Sequence, residues 1–192
     1  MTDLMTTRWT RYGKDRVLAR ALGVKTDERA WRVGAKGEEK VGRELAKLPD
    51  GWHVLHAVPI GDRSSDIDHV VIGPRGVFTL NTKHHPDGAV CVYQQGLWVN
   101  GRSTVYLHSS RHEAERASKL LTTACVSRVE VRPIIVFVDL AKLTIKGTPA
   151  DVHITTRRGL RNFLLQEPAR LTPAQVEHIY TVARNSATWQ PV

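Results

Sequence analysis

The chain predicts an α/β fold, a mixed sheet with helices on both faces, and three observations carry that reading. Periodicities run in the order helix, three strands or more, helix, strand, helix. Val131–Val138 is an almost unbroken apolar run, interrupted early by Pro133, of the kind buried on both faces. Two further apolar stretches, Ile67–Ile72 and Val77–Lys83, flank the short turn Pro74-Arg75. At 192 residues the chain can bury a core of its own, and one domain with an extension accounts for it.

The extension is residues 1–33, which carry eight basic residues against four acids with Trp9, Tyr12 and Trp31 interleaved. It reads either as an arm that tracks phosphates and stacks on bases, or as a solvated helix docked through Val17, Leu18, Ala21 and Leu22. A helix is expected from about Ala35 to Leu48, with Glu38, Val41, Leu45 and Leu48 along one stripe. Glu39 and Arg43 form a surface pair at i,i+4, whereas Glu38 rides the core-facing edge, where a carboxylate needs a partner or a cation. Pro49-Asp50-Gly51 stops this helix, and strands follow at Trp52–Val58, Ile67–Ile72, Val77–Lys83 and Ala89–Tyr93. The last returns through Gln94-Gln95-Gly96 onto Leu97–Val99. Ser110-Arg111-His112-Glu113 reads as a capping box opening a helix to about Ala124, with Ala114, Ala117, Leu120, Leu121 and Ala124 inward. Val131–Val138, a shorter strand at Val152–Thr155 and a helix capped by Thr172 complete the domain over residues 126–192.

Polar residues are planted in the central hairpin where a core is expected. Residues two apart on a strand share a face, so Asn81 and Lys83 point one way while Phe78, Leu80 and Thr82 point the other. With Pro74-Arg75 as a two-residue loop, Gly73 faces Gly76 and Asp68 falls opposite Asn81, their Cβ atoms about 5 Å apart. A three-residue loop with Gly76 as a bulge would slip that pairing by one. Asp68 alone would also suit an edge-strand ion pair with Arg63 or Arg75.

Composition narrows the partner. Lys and Arg number 28 against 19 for Asp and Glu, a net charge of +9 that favours nucleic acid over an anionic membrane. No apolar run is long enough to span a bilayer, no signal core opens the chain, and Cys91 and Cys125 lack metal-type spacing, so a reducing cytoplasm is expected. There is no phosphate loop, dinucleotide fingerprint or Gly-x-Ser-x-Gly elbow, which argues against ATP, NAD and serine-hydrolase chemistry. His108 and His112 have i,i+4 spacing but lack the company of a zinc site.

Gly34-Ala35-Lys36-Gly37-Glu38, the run from Asp66 to Phe78, and Thr82-Lys83 followed by a Gly-containing hairpin and Trp98 resemble the nuclease-related domain family, NERD. That family is similar to the PD-(D/E)XK nuclease superfamily. The resemblance covers roughly residues 34–125 and implies a restriction-endonuclease-like αβββαβ core, hydrolysis of DNA or, second, RNA, and a site at Glu38, Asp68, Asn81 and Lys83 that uses Mg²⁺ or Mn²⁺. By it, Glu38, Asp68 and Asn81 are the metal positions, Asp68 the central carboxylate, and Lys83 orients the attacking water. His84, His85, Arg75 and Arg111 are further candidates for contact with nucleic acid, and of the adjacent His84 and His85 at most one faces the site.

The chain departs from the family pattern at Asn81, where an acid is expected two residues before the lysine. An amide oxygen can bind a metal but brings no charge, so a catalytically silent nucleic-acid-binding or protein-interaction module on the same fold is the alternative. Glu113 falls where family members often carry a site-facing glutamine, while its capping-box position gives it a purely local role. Oligomeric state is left open, a homodimer included.

Overall fold

The computed structural model describes residues 25–60 and 66–190. The basic arm before Lys25, and Arg63, Ser64 and Ser65, lie outside the described residues. The elements are α1 (Lys25–Leu45), β1 (His53–Pro59), β2 (Asp66–Gly73), β3 (Gly76–His84), β4 (Ala89–Tyr93), β5 (Gly96–Val99), β6 (Arg102–Ser103), α2 (Tyr106–Cys125), β7 (Val131–Val138), β8 (Lys142–Ile145), β9 (His153–Thr156), α3 (Arg157–Gln166), α4 (Pro173–Ala183) and a 3₁₀ turn at Ser186–Trp189. With β4 to β6 set aside, α1, β1, β2, β3, α2, β7 is the αβββαβ order expected for a nuclease-like core.

Strands β1, β2, β3, β7 and β9 form the central sheet in that order, antiparallel from β1 to β3 and parallel from β3 to β9. Pro133 sits one residue before β9 joins β7 at Ile134, so its missing N–H falls where only one neighbouring strand is paired. The hairpin between β4 and β5 does not extend this sheet. It forms a second one, ordered β6, β5, β4, β8, with β4 and β8 parallel.

Three clusters hold the layers. Val41 and Leu45 of α1 and Leu160 and Leu164 of α3 bury Val71, Phe78, Leu80, Ile134 and Val136 on one face of the central sheet. On the other face Ala114, Ala117 and Leu121 of α2 and Val176, Ile179 and Ala183 of α4 cover Val70, Ile72 and Val77. Beside α2, the second sheet packs Val90, Val92 and Leu97 against Leu107, Ile135, Phe137 and Ile154. A buried Leu or Ile side chain contributes about 1.5–3 kcal/mol. These clusters are what hold the two helix layers at fixed heights above the strands.

Two helix starts differ from expectation, for different reasons. Helix α1 begins at Lys25 rather than Ala35, across the boundary placed at residue 33. Its internal glycines resemble breaks but are tolerated at about 1 kcal/mol each. Gly37 is required by packing: a Cβ there would lie 2.7 Å from the His84 Cβ, so its absence lets α1 settle on β3. After Leu45 the chain tightens into i,i+3 turns through Lys47 and Leu48, which is why the apolar stripe outlasts the helix.

Helix α2 begins at Tyr106, a turn before Ser110, and Val105 gives it no side-chain cap. The capping box is therefore incorrect. Leu107, Ser110, Ala114, Ala117, Leu121 and Cys125 form its buried stripe, so Ser110 lies inside the helix and Cys125, not Ala124, closes the stripe. The Thr172 box holds, with Gln175 and Thr172 bonded reciprocally.

Candidate active site

Gly73 pairs with Gly76 across Pro74-Arg75, and Gly76 takes a φ of 126° that a larger residue rarely adopts. That two-residue turn carries the register to His69 opposite Leu80, where the ladder stops one pair short of the expected Asp68–Asn81 pair. Instead the Thr82 N–H donates to Asp68 Oδ2 at 2.6 Å, so the carboxylate takes the place of a strand carbonyl. The strands part here. The polar residues gather beyond the end of the ladder.

Asn81 and Lys83 face α2, while Thr82 and His84 face α1 and pack on Gly37. Asn81 is 6% exposed and its Nδ2 donates to both oxygens of Glu113, at 2.8 and 2.9 Å. The carboxylate accepts only, which assigns the nitrogen to that side and turns Oδ1 away. Asn81 Oδ1 is buried and has no hydrogen-bond partner. Lys83 Nζ stands 4.8 Å from the centroid of the Tyr106 ring and pairs with no carboxylate within hydrogen-bonding reach among the described residues.

Electrostatics follow from burial. The Asp68 carboxyl is held above its ordinary range by burial, against the Thr82 N–H and the nearby Lys83 charge, which favour ionisation. Burial raises Glu113 as well, opposed by the Asn81 hydrogen bond and reinforced by the negative charge of Asp68. Two carboxylates, one amide oxygen and one ammonium thus share a partly buried space.

Of the other expected residues, Glu38 reaches this end of the strands from the opposite face. Its backbone lies against His69, and the preceding Gly37 touches Thr82 and His84. The histidine pair divides as parity demands. His84 turns to α1, with Nδ1 2.6 Å from the Val33 carbonyl and Nε2 2.7 Å from Asp139. His85 stays on the α2 side, its Nε2 3.1 Å from the Tyr106 hydroxyl, and burial followed by the Lys83 charge lowers its pKa. Arg75 lies at the far end of β3, eight residues or about 26 Å of strand from Lys83. Arg111 is engaged by Asp151 through Nε and an Nη, at 2.7 and 2.9 Å. His108 and His112 both lie on the exposed side of α2.

Glu113 is the residue whose contact with Asn81 the capping reading obscured. The available signal was Leu107: the apolar stripe starts there, which places Ser110 and Glu113 within the helix and on its sheet-facing side. Asp68, Glu113 and Asn81 Oδ1 are all hard oxygen donors, the chemistry Mg²⁺ and Mn²⁺ select. An unpartnered buried amide oxygen beside two carboxylates fits such an ion. Among the described residues no group of three or more His, Cys, Asp and Glu could hold a metal ion, so the two acids would need the amide oxygen to complete a ligand set. No described helix is long and apolar enough to cross a membrane.

A family model described as the nuclease-related domain matches residues 33–138, more than half of the chain. Over 76 residues the chain is 37% identical to an uncharacterized protein of Bacillus anthracis, a match covering 37% of this chain and 35% of that one. The chain thus spans about a third of that relative's length. No solved structure gives a match.

Proposed function

Because the chain belongs to the nuclease-related domain family, NERD, we propose that it is a metal-dependent nuclease hydrolysing phosphodiester bonds, DNA before RNA, where β2 and β3 part. The observation that carries this reading is the buried, unpartnered Asn81 Oδ1 set among Asp68, Glu113 and an ammonium that forms no ion pair among the described residues. An unsatisfied buried oxygen costs about 1–3 kcal/mol, which a cation bound at Asn81 Oδ1 would offset.

Asp68 and Asn81 would hold Mg²⁺ or Mn²⁺, with Glu38 acting through water from the α1 side. When bound, the ion supplies positive charge to the phosphate and acidifies water. Asp68 is fixed for this task by the Thr82 N–H, which donates to its Oδ2. Lys83, held over Tyr106, meets a phosphate oxygen as a point charge and orients the attacking water. His85, on the same side, would contact the phosphate, a reading supported by its 3.1 Å approach to the Tyr106 hydroxyl beside Lys83. The net charge of +9 supports a polyanionic substrate.

One observation favours a second reading: Asn81 brings no charge, as in a binding module that kept the fold and lost the chemistry. Cleavage of single- and double-stranded DNA and of RNA, measured across Mg²⁺ and Mn²⁺ concentrations with Lys83→Ala as control, separates the two. Metal-dependent cleavage lost in the variant is the expected result. Wild type inert with both metals, yet binding nucleic acid, returns the chain to the binding module.

A further inference from the structure

Asn81 leaves β3 one charge short, since a divalent ion held by Asp68 and neutral oxygens alone is held weakly. Glu113 supplies a charge from the other side of the gap. Both of its oxygens lie within 2.9 Å of Asn81 Nδ2, and that amide is its hydrogen-bond donor among the described residues. A carboxylate offers about four lone-pair sites, so a partly buried Glu113 bonded to one NH₂ group is under-satisfied. No local role explains it. It caps nothing, because α2 starts at Tyr106, and no Lys or Arg among the described residues forms an ion pair with it. The same Nδ2 bonds turn Asn81 Oδ1 away without a partner, so the amide directs one free oxygen while keeping Glu113 in place.

We propose that Glu113 is the second charged ligand of the metal, so that the acid absent from β3 at position 81 is provided across the site by α2. The inference rests on the metal-dependent reading above. Relative to the arrangement that the family resemblance implies, acid on the strand and amide on the helix, the two groups have changed places and the charge of the site is kept.

Mn²⁺ binding to the full chain, followed by isothermal titration calorimetry, tests this without reference to turnover. Glu113→Gln should weaken Mn²⁺ affinity about tenfold or more. Asn81→Glu combined with Glu113→Gln should return it to within about threefold of wild type. Asn81→Glu alone crowds three carboxylates, so its melting temperature in EDTA should fall and its rise with Mn²⁺ should exceed that of wild type. Unchanged Mn²⁺ affinity in Glu113→Gln overturns the proposal, as does a double variant that binds no better than Glu113→Gln. Wild type that binds no Mn²⁺ overturns it too.

Parallel cleavage assays keep the two readings apart. Cleavage by wild type with full Mn²⁺ affinity in Glu113→Gln removes Glu113 from the metal and leaves the nuclease. Loss of Mn²⁺ affinity in Glu113→Gln with no cleavage by wild type leaves Glu113 in place and removes the nuclease. If Glu113→Gln does not fold, Mn²⁺ relaxation of wild-type NMR signals decides. Broadening of the His112, Glu113 and Ala114 amides together with the Asn81 side-chain NH₂ supports the proposal, and sharp signals there reject it.

Discussion

Consecutive residues of β2 and β3 look into two different environments, one residue apart. Toward α1, the charged groups and histidines find protein partners, although His69 Nε2 and Thr82 Oγ1 are buried without one: His84 lies between Val33 and Asp139, Asp139 also binds Lys40, and His56 and His69 meet through Nδ1 atoms 2.8 Å apart. Toward α2, among the described residues, Asp68 and Glu113 have no ion-pair partner, Lys83 rests on an aromatic ring, and Asn81 Oδ1 has nothing to accept from. Both faces lie under helices on the same strands, so burial alone does not distinguish them. Pairing does. The carboxylate facing α1, Asp139, is consumed by Lys40 and His84, whereas the two facing α2 are left with charge and lone pairs to offer a ligand.

Removing polar groups from each face should therefore give opposite results. Asp68→Asn and Lys83→Ala should each lower cleavage by about a thousandfold or more, since charge and water positioning are lost together. Their melting temperatures should hold or rise, because Asp68→Asn removes a carboxylate that burial disfavours while keeping an acceptor for the Thr82 N–H. His84→Ala, one residue from Lys83, should cost about 1–3 kcal/mol of stability, because Val33 and Asp139 lose their partner. Cleavage and melting measured on all three check the contrast. An Asp68→Asn variant that still cleaves but melts early would erase it.

The faces should also answer pH with opposite signs. Burial, then the charge of His56, lowers the pKa of His69 to about 3, and burial lowers His56 also. Such a group stays neutral in the folded chain while the unfolded chain protonates, so its stabilisation is complete above pH 6.5 and is lost progressively down to about pH 3. The slope is about 1.4 kcal/mol per pH unit for each fully shifted histidine. Asp68 and Glu113, both raised, do the reverse: stability is greatest below their ordinary values of 3.8 and 4.5 and is lost as pH rises through their folded pKa values. Urea midpoints from pH 4 to 8 should show the histidine slope flattened in His69→Gln. Mn²⁺ should restore stability at the upper end only, since it competes with protons for the carboxylates. A metal effect as large at pH 4 as at pH 8 would contradict that assignment.

The same alternation explains what was legible in the sequence. The hairpin and the shared face of Asn81 and Lys83 follow from period two and from turn residues, which are local signals, whereas the sequence leaves the turn open between two and three residues. The second sheet was not legible as such: β4 pairs in parallel with β8, whose Lys142-Leu143-Thr144-Ile145 has an exposed residue at each end and no alternation to announce it. Helix α3 was missed because only Leu160 and Leu164 are buried in it, too few to establish a period. Glu113 was misplaced because Ser-x-x-Glu has the same spacing at a helix start as on one face of a helix interior. Only the partner, Asn81, tells the two apart, and that contact spans 32 residues.

The smallest effect falls on a cation that resembles Lys83 in charge and differs in pairing. Arg111 sits two residues before Glu113, but Asp151 already binds its guanidinium through two nitrogens. An exposed pair of this kind contributes about 0.2–1 kcal/mol, so Arg111→Ala should shift the melting temperature only slightly. Its consequence for nucleic-acid binding is more telling. Each phosphate that a protein neutralises on duplex DNA adds about −0.9 to the slope of log affinity against log salt. Lys83→Ala should make that slope shallower by close to one such step, because its ammonium forms no ion pair among the described residues. Arg111→Ala should leave it unchanged, because releasing Asp151 would cancel what a phosphate contact gains. Salt titrations of the two variants on one duplex measure the difference directly, and a full step lost with Arg111 would mean that pairing with Asp151 does not remove a cation from the binding surface.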